Sequence, residues 1–147
     1  MAGMKSGAWC HVEIPTAAIE NAKRFYGSCF GWKFTDIPQL SYTLYDAGEG
    51  EVGGGLWNPA AGVPRQIVNY ISVENIESAV ARVEANGGKL VNPKMEVPNS
   101  GWFVLIADPD GNTIGLWQNM KKPAAAPKKK AAAKKAPAKK KKGKKRK

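Results

Sequence analysis

One tripeptide occurs twice in this chain, and its two copies constrain how the folded part is organised. Gly55-Leu56-Trp57 and Gly115-Leu116-Trp117 lie sixty positions apart, each at the end of a run that reads as a β-strand. The same order of elements precedes both copies: one strand, one helix and further strands. We therefore predict a duplicated unit, in which each Gly-Leu-Trp lies on the fourth strand of its half.

The residue pattern of the first half supports this order. Residues 8–15 alternate apolar and polar side chains, which indicates a strand, and Thr16 is then a candidate helix N-cap. Apolar residues recur every three or four positions up to Gly31, which indicates a helix whose apolar face comprises Ile19, Ala22, Tyr26 and Cys29. Three strands are predicted at 32–37, 41–47 and 51–57, followed by a linker at 58–64.

The second half repeats the order. A strand rich in β-branched residues is predicted at 66–73, and a helix at 75–88 that ends on two glycines. Three more strands are predicted at 89–91, 101–108 and 112–118, with a tight turn at 108–111. Two further pairs match at an offset of 57, Ile19 with Ile76 and Ala22 with Ala79.

Three stretches of the chain resemble one known family. They are HVEIPTAAIENAKRFYGSCFGWKF at 11–34, YISVENIESAVARVEANGG at 70–88 and GWFVLIADPDGNTIGLWQ at 101–118. Together they resemble the vicinal oxygen chelate superfamily, which includes glyoxalase I, bleomycin-resistance proteins and extradiol dioxygenases. The resemblance implies an α+β domain at 8–119 built from two βαβββ modules, 8–58 and 66–118. Their mixed sheet would curl into a cup with the helices outside, and the chain would form a homodimer.

The resemblance also implies where metal ligands would lie, on the first and fourth strands of each module. Carried over to this chain, the four positions are His11, Gly55, Val68 and Gly115. Only His11, the single histidine, has a donor atom there. Glu13 shares its strand face, but two ligands are too few for a divalent ion. We therefore expect no metal and no other cofactor.

The same strands predict a small-molecule site instead. Along a strand, the glycine and tryptophan of each Gly-Leu-Trp point to one side and the leucine to the other. If both leucines face the helices, both tryptophans face the cup and both glycines leave room beside them. The alternative is that the tryptophans fill the cup as core. The candidate ligand-binding residues are His11, Glu13, Gly55, Trp57, Tyr70, Gly115 and Trp117, with Ser72 on the same face as Tyr70.

Three functions stay open at this point. The first, which we favour, is metal-free binding of a small organic molecule in an aromatic-lined cup. The second is a lyase or isomerase of the glyoxalase-like kind, with His11 and Glu13 as candidate catalytic acid and base, since an imidazole pKa of about 6.5 suits that role. The third is an adaptor domain whose C-terminal tail is the active part. The alternative for His11 is a structural role, as a half-buried strand residue whose side chain is hydrogen-bonded within the fold.

The charge is concentrated in a C-terminal tail at 120–147. Of the 23 basic residues, 15 lie in 121–147 without any acidic residue, which leaves 8 against all 12 acidic residues elsewhere, a net charge of −4. The tail is otherwise Ala, Pro and Gly after its first residue, so we predict disorder and nonspecific binding to nucleic acid or another polyanion. A purely solubilising role is the alternative.

The remaining sequence signals concern location. No secretory signal and no apolar run of membrane-spanning length is evident, and the two cysteines lack any CxxC spacing. We therefore expect a cytoplasmic protein with reduced thiols, both packed as small apolar side chains. Association with a nucleoid or with chromatin through the tail is left open, because the host is not revealed by the sequence.

Overall fold

Residues 4–121 form one nine-stranded sheet with two helices on it. The computed structural model describes residues 4–121, and the predicted tail, apart from its first two residues, lies outside them. In chain order the elements are β1 (Trp9–Pro15), α1 (Ile19–Phe30), β2 (Lys33–Ile37), a 3-10 turn (Pro38–Leu40), β3 (Tyr42–Asp46), β4 (Gly54–Trp57), β5 (Val68–Ser72), α2 (Ile76–Ala85), β6 (Lys89–Leu90), β7 (Met95–Val97), β8 (Gly101–Ala107) and β9 (Thr113–Asn119).

The strand order confirms the predicted duplication. It runs β2-β3-β4-β1-β5-β9-β8-β6, with β7 also paired to β8. Within each half, the first strand lies parallel to the last, as β1 does to β4 and β5 to β9. The halves meet where β1 and β5 pair antiparallel. The predicted α+β class with two βαβββ modules in a curled mixed sheet is therefore confirmed.

The prediction of a single strand at 89–91 is wrong. The strand expected at 89–91 is two short strands, β6 and β7, which pair with opposite ends of β8. Between them, the Asn92 side chain accepts a hydrogen bond from the backbone N–H of Leu105, in place of a ladder bond. Pro93 follows and has no N–H to donate, so the strand cannot continue through it.

Helix α2 packs as its sequence predicts. Asn75 caps it by accepting a hydrogen bond from the N–H of Ser78 at 2.7 Å. Its buried residues, Ile76 and Ala79, pack on Val104, Ile106 and Leu116 of the sheet. Leu116 therefore faces the helix, as expected from strand alternation.

Helix α1 is attached differently, since none of its residues is fully buried. A stack of aromatic rings connects it to the sheet. Tyr26 stacks on Trp32 with ring centroids 4.9 Å apart, and Trp32 stacks on the buried Tyr45 at 4.3 Å. The stack attaches α1 to β3 through aromatic contact.

Two local expectations about the first half are wrong. Thr16 is not the N-cap of α1, because the helix begins at Ile19 after Ala18, and the Thr16 hydroxyl instead accepts a hydrogen bond from the N–H of Ala18 at 3.1 Å. Cys29 does not pack in the core, because it lies on the exposed side of α1, whereas Cys10 is buried as expected. Neither described helix is long and apolar enough to span a membrane.

Candidate functional site

The strand registers place the candidate site residues on one face of the sheet, opposite the helices, which we call the cup face. Two rows of neighbouring residues cross it. One row consists of Leu44, Gly55, Glu13 and Val68 on β3, β4, β1 and β5. The next consists of His11, Tyr70, Gly115 and Leu105 on β1, β5, β9 and β8. The two rows bring the candidates from both modules together at the β1–β5 pair.

The space above the two matched glycines is occupied by tyrosine rings. A Cβ added at Gly55 would overlap the ring of Tyr42, and one added at Gly115 would overlap the ring of Tyr70. The expectation that these glycines leave room for a ligand is therefore wrong in this respect. Their missing side chains let two tyrosines lie flat on the sheet.

The two tyrosines converge on one carboxylate. The Tyr42 hydroxyl donates to Glu13 Oε1 at 3.1 Å, and the Tyr70 hydroxyl donates to Glu13 Oε2 at 2.8 Å. His11 joins the group, with its Nε2 2.6 Å from the Tyr42 oxygen. We call these four residues, His11, Glu13, Tyr42 and Tyr70, the polar cluster.

The hydrogen bonds of the polar cluster define how its protons are arranged. Tyr42 has one hydroxyl proton, and that proton is committed to Glu13. With Glu13 ionised, the arrangement that satisfies both contacts of Tyr42 has His11 Nε2–H donating to the Tyr42 oxygen. His11 is therefore the neutral Nε2–H tautomer, and its Nδ1 carries a lone pair.

Burial shifts the pKa value of each cluster residue toward its neutral form. Desolvation lowers the pKa of His11 from 6.5 to about 4, which keeps the imidazole neutral at physiological pH. Desolvation raises the pKa of Glu13, against the opposing effect of the hydrogen bonds from Tyr70 and Tyr42. The pKa values of both tyrosines are raised by desolvation and then by the nearby Glu13 charge, so they remain protonated donors.

The second module contributes an apolar half to the cup face. A buried cluster there consists of Val68 and Tyr70 on β5 together with Cys10 on β1 of the first module. Phe103, Leu105 and Trp117 pack on it. Phe103 is the counterpart of Tyr42, since each pairs with the tryptophan of its own Gly-Leu-Trp. The two modules therefore share a backbone arrangement but differ in the side chain opposite the tryptophan. The first module has the polar Tyr42 there, and the second has the apolar Phe103.

The tryptophans lie where strand alternation puts them. Trp117 packs with the apolar half of the cup face, and its indole N–H donates to Asn119 Oδ1 at 2.7 Å. Trp57 shares its face with Gly55 on β4. The Nε1 of Trp57 is buried and has no acceptor among residues 4–121. A buried donor without a partner costs about 1–3 kcal/mol, so an acceptor that reached it would be stabilising.

The residues of the cup face do not fit a divalent metal ion. Of the four ligand positions implied by the family, three are Gly55, Val68 and Gly115, which offer no donor atom, and both glycines lie under tyrosine rings. His11 and Glu13 are already hydrogen-bonded within the polar cluster. Within residues 4–121, no three His, Cys, Asp or Glu side chains gather as a metal site would need.

Two surface concavities lie away from the polar cluster. One, of about 460 Å³, lies beside the 108–111 turn, and the other, of about 530 Å³, lies beside the start of α2. Neither includes His11, Glu13, Tyr70 or either cup-face tryptophan. The residues expected to line an open cavity are therefore partly packed on each other, with Tyr70 only 5% exposed while His11 and Glu13 are partly exposed.

Sequence reasoning missed Tyr42 as a site residue. Its side chain links His11 to Glu13, so the polar cluster is incomplete without it. The signal was present in the alternation of β3: Tyr42 pairs with Trp57 across the β3–β4 hairpin and so must share its face. Finding it required the hairpin register, which the sequence pattern leaves undetermined.

Comparison with known proteins agrees with this architecture. "Putative glyoxylase CFP32" of Mycobacterium tuberculosis is 32% identical over 114 residues, which cover 73% of this chain and 44% of that protein. This chain therefore spans less than half the length of that relative.

Solved structures match across both modules. Methylmalonyl-CoA epimerase from Mycobacterium tuberculosis superposes with a TM-score of 0.62 at 16% identity, covering 82% of this chain and 94% of that one. The Mn(II)-bound glyoxalase from Novosphingobium aromaticivorans superposes with a TM-score of 0.58 at 18% identity, covering 84% and 43%. At these identities the likeness is one of fold. The sequence model of the family itself matches residues 10–116, nearly all of the folded part. This chain therefore belongs to the glyoxalase/bleomycin resistance protein/dioxygenase superfamily.

Proposed function

We propose that this protein binds a small organic molecule on the cup face without using a metal ion. The observation that carries the proposal is the position of Glu13, a carboxylate at the junction of the two modules held by two tyrosine hydroxyls at 3.1 and 2.8 Å. The partly exposed rings of Trp57 and Trp117 lie on the same face of the sheet. Aromatic walls with a few converging polar groups are typical of small-molecule sites.

Stability alone does not account for such a cluster. Removing a carboxylate from water is costly, and apolar residues of similar volume at the same positions would stabilise the sheet at least as well. The second module shows this substitution within the same chain, with Phe103 where the first has Tyr42 and Val68 where it has His11. The polar cluster takes three of its four residues from the first module and only Tyr70 from the second, and this asymmetry supports a role in binding.

The proposal is tested by ligand titration followed through tryptophan fluorescence. A small molecule that binds on the cup face should change the emission of Trp57 and Trp117, and Tyr42→Phe should weaken its binding because the Glu13 carboxylate loses one of its donors. Ser28→Ala, on the exposed side of α1, is the matched control. A library screen in which every hit binds Tyr42→Phe and wild type equally would contradict this site.

The proposal that binding uses no metal ion is tested separately. Elemental analysis of protein purified from its own cell should show far less than one equivalent of zinc, nickel, manganese or iron, because three of the four ligand positions lack donor atoms. About one equivalent of such a metal, lost on His11→Ala, would overturn it.

The alternative function is acid/base catalysis of the lyase or isomerase kind. It is favoured by one observation, the neutral His11 tautomer with a free lone pair on Nδ1, which could accept a proton from a bound substrate. In that case wild type, but not His11→Gln, should exchange a substrate C–H for deuterium in heavy water. Exchange that persists in His11→Gln would contradict the assignment.

For the basic tail we propose nonspecific binding to a polyanion. The 15 positive charges of 121–147 contact phosphates without aromatic residues to stack on bases, so affinity should fall with salt by about 0.9 log units per log unit for each contact on duplex DNA. A chain ending at Asn119 should bind much more weakly. Equal binding by the truncated chain would show that the tail is not responsible.

A further inference from the structure

The polar cluster also indicates what kind of molecule it accepts, and this inference rests on the proposed function. We infer that the ligand of the cup face is an organic cation, placed with a protonated amine at Glu13 and its apolar part against the neighbouring aromatic rings. Three observations carry the inference: the hydrogen-bonding capacity that is left over, the charge of the face, and the arrangement of the rings.

The polar cluster has unused acceptors and no unused donor. The hydroxyl protons of Tyr42 and Tyr70 and the Nε2 proton of His11 are all committed inside the cluster. Each Glu13 oxygen accepts one of these bonds and so keeps one further acceptor site, and His11 Nδ1 is also an acceptor. A molecule bound at the polar cluster has to bring donors, as an ammonium group does; the one unpartnered buried donor on this face within residues 4–121, Trp57 Nε1, lies outside the cluster.

The charge at the centre of the cup face is negative. On the four central strands, β4, β1, β5 and β9, Glu13 is the only charged side chain on this face. The three ion pairs within residues 4–121 are elsewhere: Lys23 with Glu20, Lys23 with Asp36, and Lys94 with Glu77. A partly buried carboxylate with no cationic partner among residues 4–121 favours a cation from outside and disfavours an anion.

The aromatic rings of the cup face suit a cation as well. Tyr42 and Tyr70 both contact it through their hydroxyls, and Trp57 and Trp117 lie on the same face. Aromatic faces attract ammonium groups, more strongly when the site is shielded from water. An aromatic or alicyclic amine would place its apolar part on the Phe103–Leu105–Trp117 side and its nitrogen on the polar side.

The test compares three probes of one shape: phenethylamine, 2-phenylethanol and 3-phenylpropanoate. Binding of each to the full chain is measured from the indole N–H signals in proton–nitrogen NMR spectra, which report on the cup face without interference from the lysine-rich tail. The amine should bind at least about tenfold more tightly than the alcohol, and the acid more weakly than either. Glu13→Gln should remove the preference for the amine, whereas Glu96→Gln, on exposed β7, should keep it.

The outcomes separate this inference from the proposed function. If the alcohol shifts the signals of Trp57 and Trp117 as strongly as the amine, the cup binds small molecules but the inference of a cation is wrong. Preference for the acid would contradict the inference in the same way. If no probe shifts these signals at any accessible concentration, the inference of a cation is overturned, whereas the proposed function is decided by the fluorescence screen of wild type and Tyr42→Phe. Comparison of the three probes on wild type decides the matter even if Glu13→Gln does not fold.

Discussion

At the scale of single residues, the most informative positions are the two glycines of the repeated tripeptide. Gly115 lies under the ring of Tyr70, and that ring brings its hydroxyl to Glu13. Because Gly115 has no side chain, the Tyr70 ring can lie over it and hold the Glu13 carboxylate on the next strand, β1. The glycine is therefore required for the contact of a neighbouring tyrosine with the sheet, and conformational freedom is not the reason for it.

We predict that Gly115→Ala destabilises the protein by roughly 1–3 kcal/mol, because the added methyl group collides with the Tyr70 ring. The same substitution in a Tyr70→Ala background should cost much less, and urea unfolding of the four variants measures this coupling. Gly27→Ala is the control: its added methyl would be 3.4 Å from Phe34, and in helix α1 it should be neutral or stabilising by about 0.5–1 kcal/mol. Additive costs at Gly115 and Tyr70 would show that the ring does not cover the glycine.

His11 should make stability depend on pH in a defined window. Its pKa is lowered from 6.5 to about 4 on folding, so the unfolded chain binds the proton first as the pH falls. The stabilisation is complete above pH 6.5 and is lost as the pH falls toward 4, by at most about 3 kcal/mol and by less to the extent that His11 is exposed. The difference in unfolding free energy between wild type and His11→Gln should shrink over this window. A constant difference would mean that His11 is not desolvated.

At the scale of elements, the two helices are attached by different means although they occupy equivalent places. Helix α2 buries Ile76 and Ala79 against the sheet, whereas α1 depends on the stack of Tyr26, Trp32 and Tyr45. Trp32 lies in the middle of this stack, after the helix has ended at Gly31. The loop residue thus connects α1 to Tyr45 on β3.

We predict that Trp32→Ala lowers the free energy of unfolding by about 3 kcal/mol, because both stacked contacts are lost together. Phe25→Ala, at an α1 residue that is 57% exposed, should change it by no more than about 0.5 kcal/mol. Urea unfolding followed by far-ultraviolet circular dichroism measures both. Equal effects would mean that α1 is held by its exposed aromatic face.

The elements also show what the sequence could and could not predict. Alternation and helical spacing predicted the strands, the helices and the faces of Leu116 and Trp117, because these depend on local periodicity. The polar cluster depends on which strand lies beside which and in what register. Tyr42 and Gly55 are thirteen positions apart and meet only through the β3–β4 pairing, so the sequence predicted the glycine and missed the ring above it.

At the scale of the whole molecule, the two modules form a single sheet and should unfold together. They are continuous through the β1–β5 pair, and the Tyr70–Glu13 hydrogen bond crosses that pair. We predict that Ile76→Ala, which removes a residue of the second module that is 2% exposed, lowers one shared unfolding transition by about 2–5 kcal/mol. Tryptophan fluorescence and circular dichroism should then give the same midpoint. Two separate midpoints would mean that the modules unfold independently.

The break between β6 and β7 has a consequence for how the protein behaves at high concentration. An outer strand with a continuous row of free N–H and C=O groups invites another chain to pair with it and start an aggregate. Here the outer edge beside β8 consists of two short pieces separated by Pro93 and flanked by Lys89 and Lys94. The proline removes a donor and the lysines repel a second copy, so this edge of the sheet is a poor template for amyloid-like growth.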